Sequence, residues 1–173
     1  MIRLIFLIVF ATLVSIPSIS QTRNEKFIDS LTLELSKSSA LIINLEKSEE
    51  RYQYLLLSKE MSLRSLETKD SVLQSLLAIQ AFKFNRDYEG SFYDIEIYNS
   101  LYLALKRFND PFLDELPLKI DLNDKNLPNK TYIMANKLCS YLKRNMYLSE
   151  WELYASHLKI ERTCPLNDSI LKK

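Results

Sequence analysis

Four carboxylates, Asp87, Glu89, Asp94 and Glu96, surround Gly90, the only glycine of the chain. Carboxylates that converge in a pocket can divide acid and base roles or hold calcium. Their order lacks the ligand spacing of an EF-hand, however, and Asp94 stands where it can cap a helix, so the pattern argues against both roles. His157 is the only histidine, which leaves no His-based metal cluster or proton relay to assemble, and it is expected as an ordinary, partly exposed helix side chain. The serines are plentiful, yet none stands in a Gly-x-Ser-x-Gly elbow. A single glycine also disfavours phosphate-cradling loops and dinucleotide-binding turns, which need several. The sequence therefore assigns no catalytic residue, no cofactor-binding residue, no cofactor and no metal ligand, and a non-enzyme is expected.

Two further groupings carry chemistry. Cys139 and Cys164 are the only cysteines. In an oxidising compartment such a pair reads first as a disulfide, closing a loop of about 26 residues and stabilising the fold by roughly 3 to 4 kcal/mol. A redox pair is the alternative, but Cys-x-x-Cys spacing is absent. Aromatics crowd the stretch from Phe82 to Phe112, including Phe84, Tyr88, Phe92, Tyr93, Tyr98, Tyr102 and Phe108. They suit either a ligand groove or, at helical spacing, a core, and the core is the expectation.

The compartment is suggested by the first 20 residues. Arg3, the apolar run Leu4 to Val14 and the Ser18-Ile19-Ser20 exit have the layout of a secretory signal peptide, with cleavage expected after Ser20. The run is too short for the roughly 20 apolar residues that cross a bilayer, so no stable membrane span is expected after cleavage. No cysteine lies near the cut, which disfavours a lipid anchor. Of 173 residues, 153 would remain, with Lys+Arg and Asp+Glu balanced at 22 each. Such a chain suits one domain and has no wholesale attraction for nucleic acid or anionic lipid. The charged cluster from Lys47 to Arg51 reads as a solvated helix face.

These groups would be positioned by helices. Ile28, Leu31, Leu35, Ile42 and Leu45 recur at helical intervals, giving one or two helices over about 25 to 67, with a coiled-coil dimer as one option for the first part. Leu55, Leu56, Leu57, Met61, Leu63 and Leu66 form a sector broad enough to pack against two neighbours. Asp70 or Thr68 would cap a buried central helix running from Val72 to about Tyr88 and Gly90. Asp94 would cap the next, whose Ile95, Tyr98, Leu101, Tyr102 and Leu105 share a face before Asn109, Asp110 and Pro111 stop it. Residues 109–130, with Pro111, Pro117 and Pro128, read as a linker, within which Leu116 to Leu122 could extend. Helical spacing resumes at Tyr132 and ends at Asn145, expected in the left-handed conformation. Ser149 and Glu152 then fit a capping box, with Leu148 and Leu153 as its hydrophobic staple and Trp151 and Tyr154 turned inward. Pro165 marks the exit.

Two blocks resemble a known family. Leu76-Leu77-Ala78-Ile79-Gln80-Ala81-Phe82-Lys83-Phe84-Asn85 and the run Tyr93 to Leu105 are similar to the helical segment just before the propeller in Bacteroidetes-type WD40-repeat proteins. Leu138-Cys139, Arg144-Asn145, Ser149-Glu150-Trp151, Tyr154 and Thr163-Cys164-Pro165 resemble the segment that follows it. Only residues 109–130 lie between these blocks, whereas one blade needs about 40 residues. The resemblance thus implies a pared-down relative without the propeller, and it transfers neither a ligand nor a catalytic residue.

The expected architecture is all-α: an antiparallel helical hairpin array, TPR-like helix packing being one option, with a short disulfide-pinned C-terminal helical tail. Its parts are a signal peptide (1–20), an N-terminal helical region (21–108), a linker (109–130) and a C-terminal tail (131–173). The clamp at Cys139 and Cys164 is expected to leave the Leu76 to Leu105 hairpin largely independent. The expected role is a secreted or periplasmic, non-catalytic scaffold for a protein partner at the cell envelope. An aromatic-lined small-ligand binder, or a small helical hydrolase using the carboxylates near Gly90, are the alternatives.

Overall fold

The computed structural model describes residues 2–116, 121 and 124–164, with side chains from residue 24 onward. Among them the chain is helical throughout, without strands: α1 (Ile2–Glu67), α2 (Ser71–Asp87), α3 (Ile95–Lys106), a 3-10 turn (Pro111–Glu115), α4 (Leu127–Tyr141) and α5 (Leu148–Ala155). The all-α expectation therefore holds. The chain forms two compact units, one up to Glu49 and one from Glu50 onward. Side chains of the expected signal peptide, most of the Leu116 to Leu122 piece and Pro165 lie outside the described residues.

In the first unit, every residue from 24 to 49 is helical and exposed. Local bonds decorate this stretch, such as the Thr32 hydroxyl donating to the Ile28 carbonyl and Lys37 pairing with Glu34 at 2.9 Å.

The second unit is built around α2, which buries Gln74 to Phe82 together with Phe84 and Asn85. Its apolar sequence has no solvent-facing stripe to spare, so neighbours cover it on several sides. α3 and α4 pack on it and on each other. From α1 it is covered by Tyr54, Leu57 and Met61 and by the fully buried Ser58, Ser62 and Ser65. The Ser58 hydroxyl donates to the Ala81 carbonyl at 2.7 Å and the Ser65 hydroxyl to the Gln74 carbonyl at 2.9 Å. Small side chains with satisfied hydroxyls let two backbones approach closely. The broad leucine sector expected on α1 divides accordingly: Leu57 and Met61 are buried, whereas Leu56 and Leu63 are 72% and 50% exposed.

Helix ends follow the sequence in part. Asp70, rather than Thr68, caps α2 by accepting from the Val72 and Leu73 amides at 2.8 Å, while the Thr68 hydroxyl closes α1 on the Arg64 carbonyl. Asp94 caps α3 by accepting from the Ile97 amide at 3.2 Å. At the end of α2 the Gly90 amide donates to the Asn85 carbonyl (2.7 Å) and the Glu89 amide to the Arg86 carbonyl (3.3 Å), a Schellman closure. The left-handed residue in it is Glu89, at φ 55°, and not the glycine. Gly90 is required for a different reason: a Cβ there would run into the Asn85 side chain and Leu55.

The proline-bearing segment is more ordered than a linker. Asn109 turns at φ 52°, Asp110 caps the 3-10 turn, and Leu116 and Leu127 enter the core. Pro128 lies in the first turn of α4, where a missing N–H costs nothing, so the helix starts before Tyr132. It ends at Tyr141 with Leu142 extended, and Asn145 is not left-handed.

Candidate functional site

The four carboxylates near Gly90 do not converge. Asp94 and Glu96 meet on Lys59 of α1, whose Nζ lies 2.5 Å and 2.6 Å from their oxygens. The hydrogen bond from Lys59 pulls the Glu96 carboxyl down to about 2. Burial of Lys59 opposes its charge, but the two carboxylates outweigh burial and raise its pKa. Asp87 instead pairs with its neighbour Arg86 at 2.7 Å, and Glu89 is exposed. Arg51 reaches the same corner from α1, donating to the Tyr88 and Glu89 carbonyls at 3.0 and 2.9 Å, where a cation suits a helix C-terminus. These contacts fasten α1 to both ends of the α2–α3 turn.

The tail is organised by Arg144 and Glu150. The guanidinium forks onto the carboxylate at 2.6 and 2.8 Å and lies over the Tyr147 ring, 4.1 Å from its centre. Glu150 also accepts from the Tyr147 amide at 2.8 Å, so α5 begins with Tyr147 as its cap residue and Glu150 as the carboxylate that reaches back. Burial opposes the Glu150 charge, but Arg144 lowers its pKa overall. This corrects the expected box: Ser149 and Glu152 are exposed, and Leu148 and Leu153, at 60% and 73% exposure, form no staple. The pair wins because it satisfies the helix amide with a charge that is itself held by a two-pronged cation.

Trp151 is buried as expected, donating from Nε1 to the Leu158 carbonyl at 3.1 Å and meeting Phe84 edge-on at 6.2 Å. Tyr154 is half-buried against the core. Cys139 and Cys164 form the expected disulfide, with Cα atoms 5.5 Å apart. The Asn145 carboxamide oxygen accepts from the Cys164 amide at 2.8 Å, which is the work this residue does instead of ending a helix. The tail is not independent of the hairpin: Lys83 of α2 donates to Glu161 and to the Arg162 carbonyl at 2.8 and 2.9 Å. His157 lies in the turn after α5, exposed.

Most of the aromatics are core. Phe82, Phe84 and Tyr98 are buried, Tyr88, Tyr102, Phe108 and Phe112 pack against them, and Phe92 and Tyr93 are exposed. Tyr54 of α1 stacks on Tyr88 at 3.7 Å. Tyr98 stacks on Tyr102, and burial pushes its phenol up. Asp110, 3% exposed, accepts from Tyr141 (2.7 Å), Lys137 (3.2 Å) and the Phe112 amide (2.8 Å), tying the end of α3 to α4. Burial opposes the Asp110 charge, yet these donors lower its pKa. A groove of about 680 Å³ lies beside it, lined by Tyr102, Lys106 and Leu113, and one of about 300 Å³ lies between α2 and α4, lined by Phe82, Arg86 and Tyr132. Neither is lined by the carboxylates near Gly90. Among the described residues, no group of three His, Cys, Asp or Glu side chains could hold a metal, and no helix is long and apolar enough to cross a membrane.

What stands out instead is a helix face with nothing on it. In the first unit Phe27, Ile28, Leu31, Leu35, Leu41, Ile42 and Leu45 are between 54% and 70% exposed, and Leu33 and Ile43, off this face, are exposed to 55% and 51%. Ile28, Leu35 and Ile42 recur every seven residues, with Leu31 and Leu45 each three residues after one of them. Tyr52, Leu56 and Leu63 fall at the same heptad positions further along the sequence and are likewise exposed in the second unit, but charged Glu49 and Lys59 interrupt the register there. The core-facing residues Tyr54, Leu57, Ser58, Met61 and Ser65 occupy other heptad positions than Ile28, Leu35 and Ile42. Sequence reading noted the spacing of Ile28 to Leu45 but missed Lys59, Arg51, Lys83 and Asp110, whose partners are distant in the chain. No family model, curated protein or solved structure matches the chain.

Proposed function

We propose that the chain is a non-catalytic helical interaction module that offers the apolar heptad face of α1 to a protein partner at the cell envelope. The observation that carries this reading is the stretch 24–49, in which every residue, including its large apolar side chains, is exposed. A helix draws most of its stability from packing such a face.

Export is part of the proposal. The signal-like residues 1–20 and the Cys139–Cys164 disulfide support an oxidising compartment. The likeness to propeller-flanking helices of WD40-repeat proteins also belongs here. It rests on the spacing of Cys139, Arg144, Asn145, Glu150, Trp151 and Cys164 in the sequence alone. Occupation of Asp87, Asp94 and Glu96 by basic partners supports a non-catalytic role over a hydrolase.

The test is affinity capture from envelope extract with the wild-type protein and with a Leu35→Glu/Ile42→Glu variant. The proposal expects partners captured by the first and lost by the second. Equal capture by both would place the interaction elsewhere. The groove between α2 and α4 favours a second reading, a binder of a small aromatic molecule, because Phe82 and Tyr132 line it. A thermal-shift response to small aromatic compounds that Tyr132→Ala abolishes would select that reading.

A further inference from the structure

We propose that residues 28–45 of α1 pair with the same residues of a second copy in a parallel two-stranded coiled coil. This rests on the interaction reading above and names its partner. The heptad positions that form a coiled-coil seam are occupied by Ile28, Leu35 and Ile42 at one site (a) and by Leu31, Ser38 and Leu45 at the other (d). β-Branched Ile28 and Ile42 at a with Leu31 and Leu45 at d suit two parallel strands, because the branched side chains pack well in that geometry, and Leu35, which is not β-branched, is the exception at a. Ser38 is the one polar member, and a single polar seam residue fixes register at some cost in stability.

The choice of an identical partner comes from the flanking positions. A parallel pair sets Phe27 opposite Thr32, Glu34 opposite Ser39 and Leu41 opposite Glu46 of the other copy. None of these pairs opposes like charges. A partner selected by charge would instead find only two acidic residues to read, Glu34 and Glu46, separated by a leucine. The five apolar seam residues are all more than half exposed, from Leu31 at 54% to Leu35 at 70%. Residues 28–45 extend about 27 Å along a helix at 1.5 Å per residue. Beyond residue 45 charged Glu49 and Lys59 occupy seam positions, so the apolar seam is confined to residues 28–45. Two identical faces of this kind close on each other by two-fold symmetry, leaving no seam to recruit a third chain.

The test is sedimentation equilibrium of the exported protein at micromolar concentration, together with two variants. The wild type is expected as a dimer, and Leu35→Glu/Ile42→Glu is expected to weaken dimerisation by more than about tenfold. Near-UV circular dichroism and the intact disulfide report that the rest of that variant has folded. Leu31→Cys is expected to cross-link to its own copy under mild oxidation, since the native cysteines are already bonded to each other. A dimer unaffected by the double substitution, or one in which Leu31→Cys does not cross-link, would overturn the pairing. A wild-type monomer would overturn it too: if that monomer still captures an envelope protein that the double variant loses, the interaction reading survives without the homodimer, and if it captures none, both fall.

Discussion

Arg144 and Glu150 form a two-pronged ion pair, with nitrogen-to-oxygen distances of 2.6 and 2.8 Å, and the same carboxylate accepts from the Tyr147 amide. One carboxylate thus begins α5 and fastens it to the turn that follows α4. Glu150→Ala should cost about 2 kcal/mol, since it removes a cap and leaves a half-buried guanidinium without its partner. Ser149→Ala, at an exposed position, should stay within about 0.5 kcal/mol. Trp151→Ala should cost about 3–5 kcal/mol. Urea unfolding of the three variants checks this order, and a loss at Ser149 as large as at Glu150 would restore the hydroxyl cap.

Adjacent substitutions at the end of α2 should have opposite signs. Glu89 holds a left-handed conformation that L-residues adopt at a cost of about 1–2 kcal/mol, so Glu89→Gly should raise stability by about 0.5–1 kcal/mol after the greater entropy of an unfolded glycine. Its carbonyl, which Arg51 holds, survives the change. Gly90→Ala should lose about 1–3 kcal/mol by overpacking against Asn85 and Leu55. Melting temperatures of the pair decide it.

Acid should loosen the second unit through Glu96 and Asp110. Both carboxyls are depressed in the folded protein, Glu96 to about 2 by Lys59, and Asp110 by Tyr141, the Phe112 amide and Lys137 against the effect of burial. A depressed carboxyl contributes stability that is present above its unfolded pKa and lost as pH falls through the folded one. For Glu96 that window runs from about 4.5 down to about 2. Because Glu96 is nearly half exposed, solvent screening limits its share to under about 1 kcal/mol. Asp110→Ala should cost about 2–3 kcal/mol at neutral pH, and Asp110→Asn should flatten the acid side of the stability profile. Unfolding free energy measured from pH 7 to 2 tests both.

Local signals carried much of this structure. Asp70 and Asp94 cap the helices that their neighbours predict, because a cap depends on amides two or three residues away. The buried run from Leu76 to Phe84 is apolar all round and so must be central. The disulfide needed only a count of two cysteines and a suitable compartment. Reading failed where a distant side chain outbid the nearest one: Arg144 selects Glu150 over the Ser149 hydroxyl, and Cys164 recruits Asn145 away from a helix end. The proline-rich segment misled for a different reason. Pro111 and Pro128 stand in first turns, where proline initiates helices as readily as it breaks them elsewhere. On α1, apolar spacing alone could not say which leucines face α2. The small, hydrogen-bonded Ser58 and Ser65 decide that, and a serine carries no apolar signal in the sequence.

Export is checked chemically. Mass spectrometry of the protein recovered from the envelope or medium should give a mature N-terminus at or near Gln21. Peptide mapping without reductant should link the Cys139 and Cys164 peptides, and thiols that alkylate freely in the native protein would contradict the clamp.

The most direct measurement is hydrogen exchange by mass spectrometry over residues 24–49, made on the purified protein across a range of concentrations. If the exposed heptad face exists to bury itself against a partner helix, these amides should become more protected as concentration rises. That protection should vanish in the Leu35→Glu/Ile42→Glu variant while α2 and α4 keep theirs. Exchange over 24–49 that is the same at every concentration and in both proteins would contradict the account.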